Sequence, residues 1–160
     1  MLLLLLPPAA AAASLLPPGP VLTPVQAASP FGTVLAISGD TAAVTGFLGD
    51  RAVVFIFVRS AGAWSQQARI ADPALSDPSS AFGSALALSG DTLAIGAGAE
   101  ASPSSSVYLY VRAAGAWSLQ AHLQPARAAG LGFGTALALA GDALAVGAPG
   151  SIAGTAAGAV

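Results

Sequence analysis

Few side chains in this sequence could do chemistry. His122 is the single histidine, so any general acid–base or triad scheme would run through it. Asp72 and Asp77 are the nearest approach to paired carboxylates, but in ADPALSDPSS each stands before a proline, an arrangement that favours a turn. Asp40, Asp91 and Asp142 each follow a glycine between two apolar runs. A calcium ion needs about six to eight oxygens from a loop of roughly a dozen residues, and a Gly-Asp turn offers one carboxylate, so these aspartates read as turn residues. Gly130-Leu131-Gly132-Phe133-Gly134 has the glycine density of a phosphate loop without a preceding strand, a following helix or a downstream lysine. Trp64, Trp117, Tyr108 and Tyr110 would serve either as a stacking platform for a sugar or base or as core. With no cysteine there is no thiolate nucleophile, no disulfide and no zinc–thiolate site.

The positions of these residues follow from a repeat. Phe31-Gly32, Phe82-Gly83 and Phe133-Gly134 stand 51 residues apart, and each is followed at the same distance by its turn: Gly39-Asp40, Gly90-Asp91 and Gly141-Asp142. A period of roughly 20 to 50 residues marks solenoids, propellers or arrays. His122 falls at the repeat position held by Arg69, which favours a solvent-exposed place over a catalytic one. The two tryptophans occupy matched positions and read as core. Arg59 and Arg112 close the third strand of their copies, where a contact between repeats is expected. No catalytic, cofactor-binding, metal-ligating or ligand-binding residue is assigned, and no cofactor is implied.

Within each unit the chain alternates short strands with turn signals. TVLAIS, Gly39-Asp40 and TAAVTG read as a hairpin, because glycine accepts the positive φ of a tight two-residue turn. The second and third copies repeat it over Ala85 to Gly96 and Ala136 to Gly147. A variable loop leads to VVFIFVR, ending at Arg59, and to VYLYVR, ending at Arg112, whose β-branched and aromatic content suits strands. Lacking polar alternation, these third strands should be buried on both faces, with sheets stacked on either side. In the fourth strand simple alternation puts Trp64, Gln66, Ala68 and Ile70 on one face and Ser65, Gln67 and Arg69 on a wet one. Four antiparallel strands in about 50 residues form a propeller blade. The predicted fold is all-β: a partial β-propeller of about two and a half four-stranded antiparallel blades, starting at residues 31, 82 and 133, the last truncated. On that reading the outward faces of the end sheets, including Val54 to Val58 and the Leu137 to Val146 hairpin, should lie uncovered and favour self-association or further blades.

Composition sets outer bounds. The chain is 55% hydrophobic and 8% charged with a net charge of -2, and all five of its cations are arginine. Nucleic acid and anionic membrane surfaces need clustered cations, so neither is indicated. Residues 1–28 carry no charge and six prolines and read as a signal or leader segment, with Val25-Gln26-Ala27 placing small or aliphatic residues before a cut. A disordered Ala/Pro leader is the competing reading. Proline interrupts the run too often for a span of about 20 apolar residues, so no membrane insertion is expected once the leader is removed. Residues 29–160 form the repeat domain.

Phe82-Gly83, Ala94-Ile95-Gly96-Ala97 and Gly147-Ala148-Pro149-Gly150, in this order with the apolar hairpin and Val-Tyr-Leu-Tyr-Val, resemble the FG-GAP repeat of bacterial surface proteins and the integrin α-subunit propeller. The resemblance implies a seven-bladed propeller in the parent fold, a secreted or cell-surface location and a role in adhesion or in protein or glycan binding. Many members of the family hold calcium in a DxDxDG-like loop in the first hairpin; here that loop is two residues, and copies one and two read Thr45-Gly46-Phe47 and Gly96-Ala97-Gly98 where the third has Gly-Ala-Pro. The expected function is non-enzymatic binding of a protein or glycan partner. The alternatives are a purely structural repeat of a longer surface protein and, less favoured, a propeller glycosidase or lyase fragment.

Overall fold

The computed structural model describes residues 21–26, 28–73, 81–98, 105–125 and 132–149. Among them are ten strands and no helix: β1 (Phe31–Ser38), β2 (Thr41–Leu48), β3 (Arg51–Ser60), β4 (Ala63–Ala71), β5 (Phe82–Ser89), β6 (Thr92–Ala97), β7 (Ser106–Ala113), β8 (Ala116–Leu123), β9 (Ala136–Ala140) and β10 (Ala143–Gly147). They form antiparallel sheets in the orders β1-β2-β3-β4 and β5-β6-β7-β8, with β9 and β10 a separate pair. The sheets stack in chain order: β5 lies over β1, β2 and β3, and β9 over β5 and β6. This is a partial propeller of two blades and the opening hairpin of a third, and it is not closed.

The turns are those the glycines call for. Gly39, Gly90 and Gly141 take φ of +56°, +55° and +59°, and the turn from strand three to strand four holds Ala61 and Ala114 at +50° beside Gly62 and Gly115 at +80°. One expected loop is absent. β2 runs on to Leu48 and β3 starts at Arg51, so the stretch read as a variable loop in the first copy is a two-residue turn on Gly49-Asp50.

Each sheet has two unlike faces, and their difference gives the stack a direction. In the second and third opening hairpins the larger residues point back toward the start of the chain and the small ones forward. Leu86, Leu88, Leu93 and Ile95 face back and meet Ala43, Val34 and Ala36 of the first sheet, while Ala87 and Ala94 face forward and receive Leu137, Leu139, Leu144 and Val146 of the third. Large residues seated on small ones let adjacent sheets interdigitate. Ile56 and Val54 of β3 face forward into the same layer with Tyr108 and Tyr110. Burying a side chain of this size contributes about 1.5–3 kcal/mol, so this layer, more than any polar contact, holds the blades together.

Two expectations fail here. Phe55 and Phe57 are not uncovered: they are 0% and 2% exposed. Strand alternation sends them to the back face with Val44 and Val53, where Leu22 and Ala28 pack over them. Residues 21–26 and 28–30 are anchored along that face by Val25 N–H donating to Gln66 Oε1 at 2.9 Å, by Arg69 donating to Gln26, and by Ser29 N–H donating to the Phe47 carbonyl at 3.1 Å. The hairpin from Leu137 to Val146 likewise turns its large residues inward, leaving Ala136, Ala138, Ala140, Ala143 and Ala145 exposed.

The second failure is in strand four. β4 pairs Ile56 with Ala68 and Phe57 with Gln66, skipping Gln67; β8 skips Gln120 in the same way. A β-bulge adds one residue to one strand and so flips the alternation past it. Trp64 and Gln66 therefore face back, Ala68 and Ile70 forward, and Arg69 and His122 return to the back face beside Phe55 and Tyr108.

Candidate functional site

The two ends of the stack differ. At one end all turns are tight, on Gly39-Asp40, Ala61-Gly62, Gly90-Asp91, Ala114-Gly115 and Gly141-Asp142. Connections of variable length, from β4 to β5, β6 to β7 and β8 to β9, leave from the other end, where Phe82 pairs with Ala97, Ala97 with Ser106 and Val107 with Leu123.

The tight-turn end carries a repeated polar cluster. Arg59 at the end of β3 pairs with Trp64 at the start of β4, and its N–H donates to the Asp40 carbonyl at 2.8 Å. Its Nε and Nη2 converge on Asp40 Oδ1 at 2.7 and 2.6 Å, and its guanidinium lies 5.6 Å from the Trp64 ring centroid. Arg112, Asp91 and Trp117 repeat this with 2.7 and 2.6 Å to Oδ1 and 5.2 Å to the ring. The aspartate carboxylates are taken up by arginine and the indole faces by guanidinium, an arrangement that locks a turn to two strands. Partly exposed pairs of this kind contribute about 0.2–1 kcal/mol each. Asp142 has no such partner among the described residues.

The second cluster also reaches across the blade boundary, as expected of Arg112. Its Nη1 donates to Thr41 Oγ1 at 3.1 Å and Gln67 Oε1 at 3.3 Å, and Trp117 Nε1 donates to the same Gln67 oxygen at 3.1 Å. Arg59 makes its contacts within its own sheet. Sequence reasoning passed over Thr41 and Gln67, and also Ser38 and Ser89, whose hydroxyls accept from the turn amides of Gly90 and Gly141 at 3.0 and 3.1 Å. The signal was present in the repeat offsets that pair Ser38 with Ser89, Thr41 with Thr92 and Gln67 with Gln120.

The remaining candidates do not converge. His122 is exposed and its ring stacks on Tyr108 at 4.3 Å and 3°. Trp64 and Trp117 are half-buried and pack into separate layers. Burial, then Tyr108 and Asp72, raise the Tyr110 pKa above its ordinary value. Asp77, Gly130 and Leu131 lie outside the described residues, while Gly132 to Gly134 form a turn entering the third sheet. Among the described residues no three His, Asp or Glu side chains gather where they could hold a metal, and no helix is long and apolar enough to cross a membrane.

The Phe-Gly pairs explain the period. Phe82 and Phe31 sit edge-on against Tyr108 and Phe55, each at 5.6 Å. Gly83 and Gly134, at φ of +78° and +85°, press against the preceding sheet: a Cβ on Gly83 would come within 2.7 Å of Thr45, whose hydroxyl donates to the Gly83 carbonyl, and one on Gly96 within 2.1 Å of the Gly134 carbonyl oxygen. Residues 64–110 match the sequence model of the FG-GAP repeat. The chain carries an FG-GAP repeat. The match spans under a third of the chain and runs from β4 of one sheet into β7 of the next, so the FG-GAP unit straddles the blade boundary that Gly83 seals. No curated protein matches the chain.

Proposed function

We propose that this chain is a non-enzymatic, exported β-propeller repeat segment that binds a protein or glycan through the loops at its variable end, as in adhesion. The observation that carries the reading is the unlikeness of the two ends. The tight-turn end spends its charged groups on Asp40–Arg59 and Asp91–Arg112, whereas the variation in length lies in the connections at the opposite end. Loops set on a rigid scaffold are where binding residues concentrate. The low charge and the Ala, Ser, Gly and Pro content of those loops fit recognition by shape and backbone groups better than acid–base chemistry. The uncharged apolar composition of residues 1–20 supports a secreted or surface location.

The test is to immobilise the full chain and screen it against extracellular-matrix proteins and a glycan array. Binding should be lost when residues 74–80 and 99–104 are replaced by Gly-Ser segments of equal length, with the unfolding midpoint unchanged. A ligand that still binds the loop-replaced chain, or hydrolysis of an arrayed glycan, would overturn the reading.

A further inference from the structure

Residues 21–26 and 28–30 have the composition of a leader and the contacts of a folded part. Leu22 is 7% exposed and packs with Val44, Val53, Phe55 and Phe57, and Ala28 packs against the same group. Gln66 accepts from the Val25 N–H, and Gln26 accepts from Arg69. The sequence repeats this arrangement. In each copy an aliphatic residue stands two or three places before a proline ahead of the Phe-Gly pair: Leu22 and Pro24, Ile70 and Pro73, Leu123 and Pro125. The packing repeats it too. Ile70, 6% exposed, lies in the layer with Tyr108 and Tyr110, which hold in the second sheet the register that Phe55 and Phe57 hold in the first. Leu123 lies in the layer with Phe133 and Leu137. Leu22 thus occupies a repeat position, with the burial and the neighbours of one.

We infer that residues 22–26 and 28–30 stay in the mature protein, and that the leader removal which the export proposed above calls for is made upstream of Leu22, after Ala13, rather than at Val25-Gln26-Ala27. A leader peptidase reads an Ala-x-Ala-like pattern of small residues before the bond it cuts. Val25-Gln26-Ala27 approximates that pattern, and Ala11-Ala12-Ala13, the last Ala-x-Ala ahead of Leu22, matches it. The fold separates the two. Hydrolysis adds water across one peptide bond, leaving a carboxylate on the leader and an amine on the mature chain. After Ala27 that step would discard Leu22 together with the Val25–Gln66 and Gln26–Arg69 contacts. Phe55 and Phe57, 0% and 2% exposed in the intact fold, would lose the leucine packed over them, and the stability of a sheet face scales with the apolar area it keeps from water. After Ala13 the same step removes none of these contacts.

The experiment expresses the full chain in a secreting bacterial host and reads the exported protein by intact mass and N-terminal sequencing. It should begin at Ser14 and carry Leu22. Ala27→Leu should leave that amino terminus in place, and Ala13→Leu should shift or abolish it. An exported chain that begins after Leu22, one that still begins at Met1, or an amino terminus indifferent to Ala13→Leu overturns the cut. A chain retained inside the cell with Met1 intact defeats the export reading instead, and thermal unfolding of that chain then decides the place of the segment. Leu22→Ala should lower the midpoint by several degrees, as should Ile70→Ala, while Val25→Ala, at a side chain 87% exposed, leaves it unmoved. A Leu22→Ala midpoint equal to that of the parent overturns the inference, because residues 22–26 and 28–30 would then be dispensable leader.

Discussion

The indole nitrogen of Trp117 donates to the side-chain oxygen of Gln67, 3.1 Å away, across the boundary between two sheets. The same oxygen accepts from Arg112. Gln67 is in position to do this because it is the extra residue of a bulge; in an unbroken strand it would alternate with its neighbours and its reach would be set by the pleat. The contact thus joins a local irregularity of one blade to the Asp91–Arg112 pair of the next, and the apolar layer beneath sets the spacing at which the two meet.

Glycines at the blade boundary should tolerate less than glycines in turns. Gly96→Ala puts a methyl group 2.1 Å from the Gly134 carbonyl oxygen and 3.2 Å from the Ala85 Cβ, with no flexible side chain to give way, and should lower stability by about 2 kcal/mol or more. Gly39→Ala meets open space and bears only the strain of φ +56°, about 1 kcal/mol. Urea unfolding of the two variants separates them; equal losses would mean that the close approach does not exist in solution.

The hydroxyl of Tyr110 gives the fold an alkaline limit. Burial first, and then Tyr108 and Asp72, raise its pKa above the unfolded value of 10.0. An acid whose folded pKa is the higher one keeps its proton longer in the folded state. Its contribution is therefore intact below about pH 10 and is lost as pH rises through and past that value. Thermal midpoints from pH 8 to 11 should fall more steeply in the parent chain than in Tyr110→Phe, and identical slopes would contradict the assignment.

Chelation should leave the protein unmoved. The carboxylates of Asp40 and Asp91, at the hairpin turns, are engaged by Arg59 and Arg112 at 2.6 Å. A chelator titration followed by circular dichroism should show a constant midpoint. A fall of several degrees restored by added calcium would contradict this.

Much of the fold was legible because its signals are local or periodic: the Phe-Gly spacing, the Gly-Asp turns, and the runs ending at Arg59 and Arg112. Strand order and the stacking of sheets follow from them. The bulges at Gln67 and Gln120 were not legible, since a bulge is a relation between two strands, and WSQQARI alternates well enough to be read straight through. That one residue reversed the faces of Trp64 and Ile70. Leu22 was missed for a different reason: its neighbours have the composition of a leader, and nothing local distinguishes an apolar residue in a leader from one packed on Phe55 and Phe57. The direction of the stack was present in the Leu-Ala alternation of ALALS and ALALA, which strand propensity treats as one undivided apolar run.

Consecutive blades are joined face to face by specific contacts across the boundary. A double-mutant cycle on Gln67→Ala and Trp117→Phe, read by denaturant unfolding of the full chain, tests it most directly. The coupling should be about 0.5–1.5 kcal/mol, the worth of one hydrogen bond shared by residues 50 positions apart in sequence. Additivity within about 0.3 kcal/mol would show that Gln67 and Trp117 do not meet, and that the sheets do not stack as described.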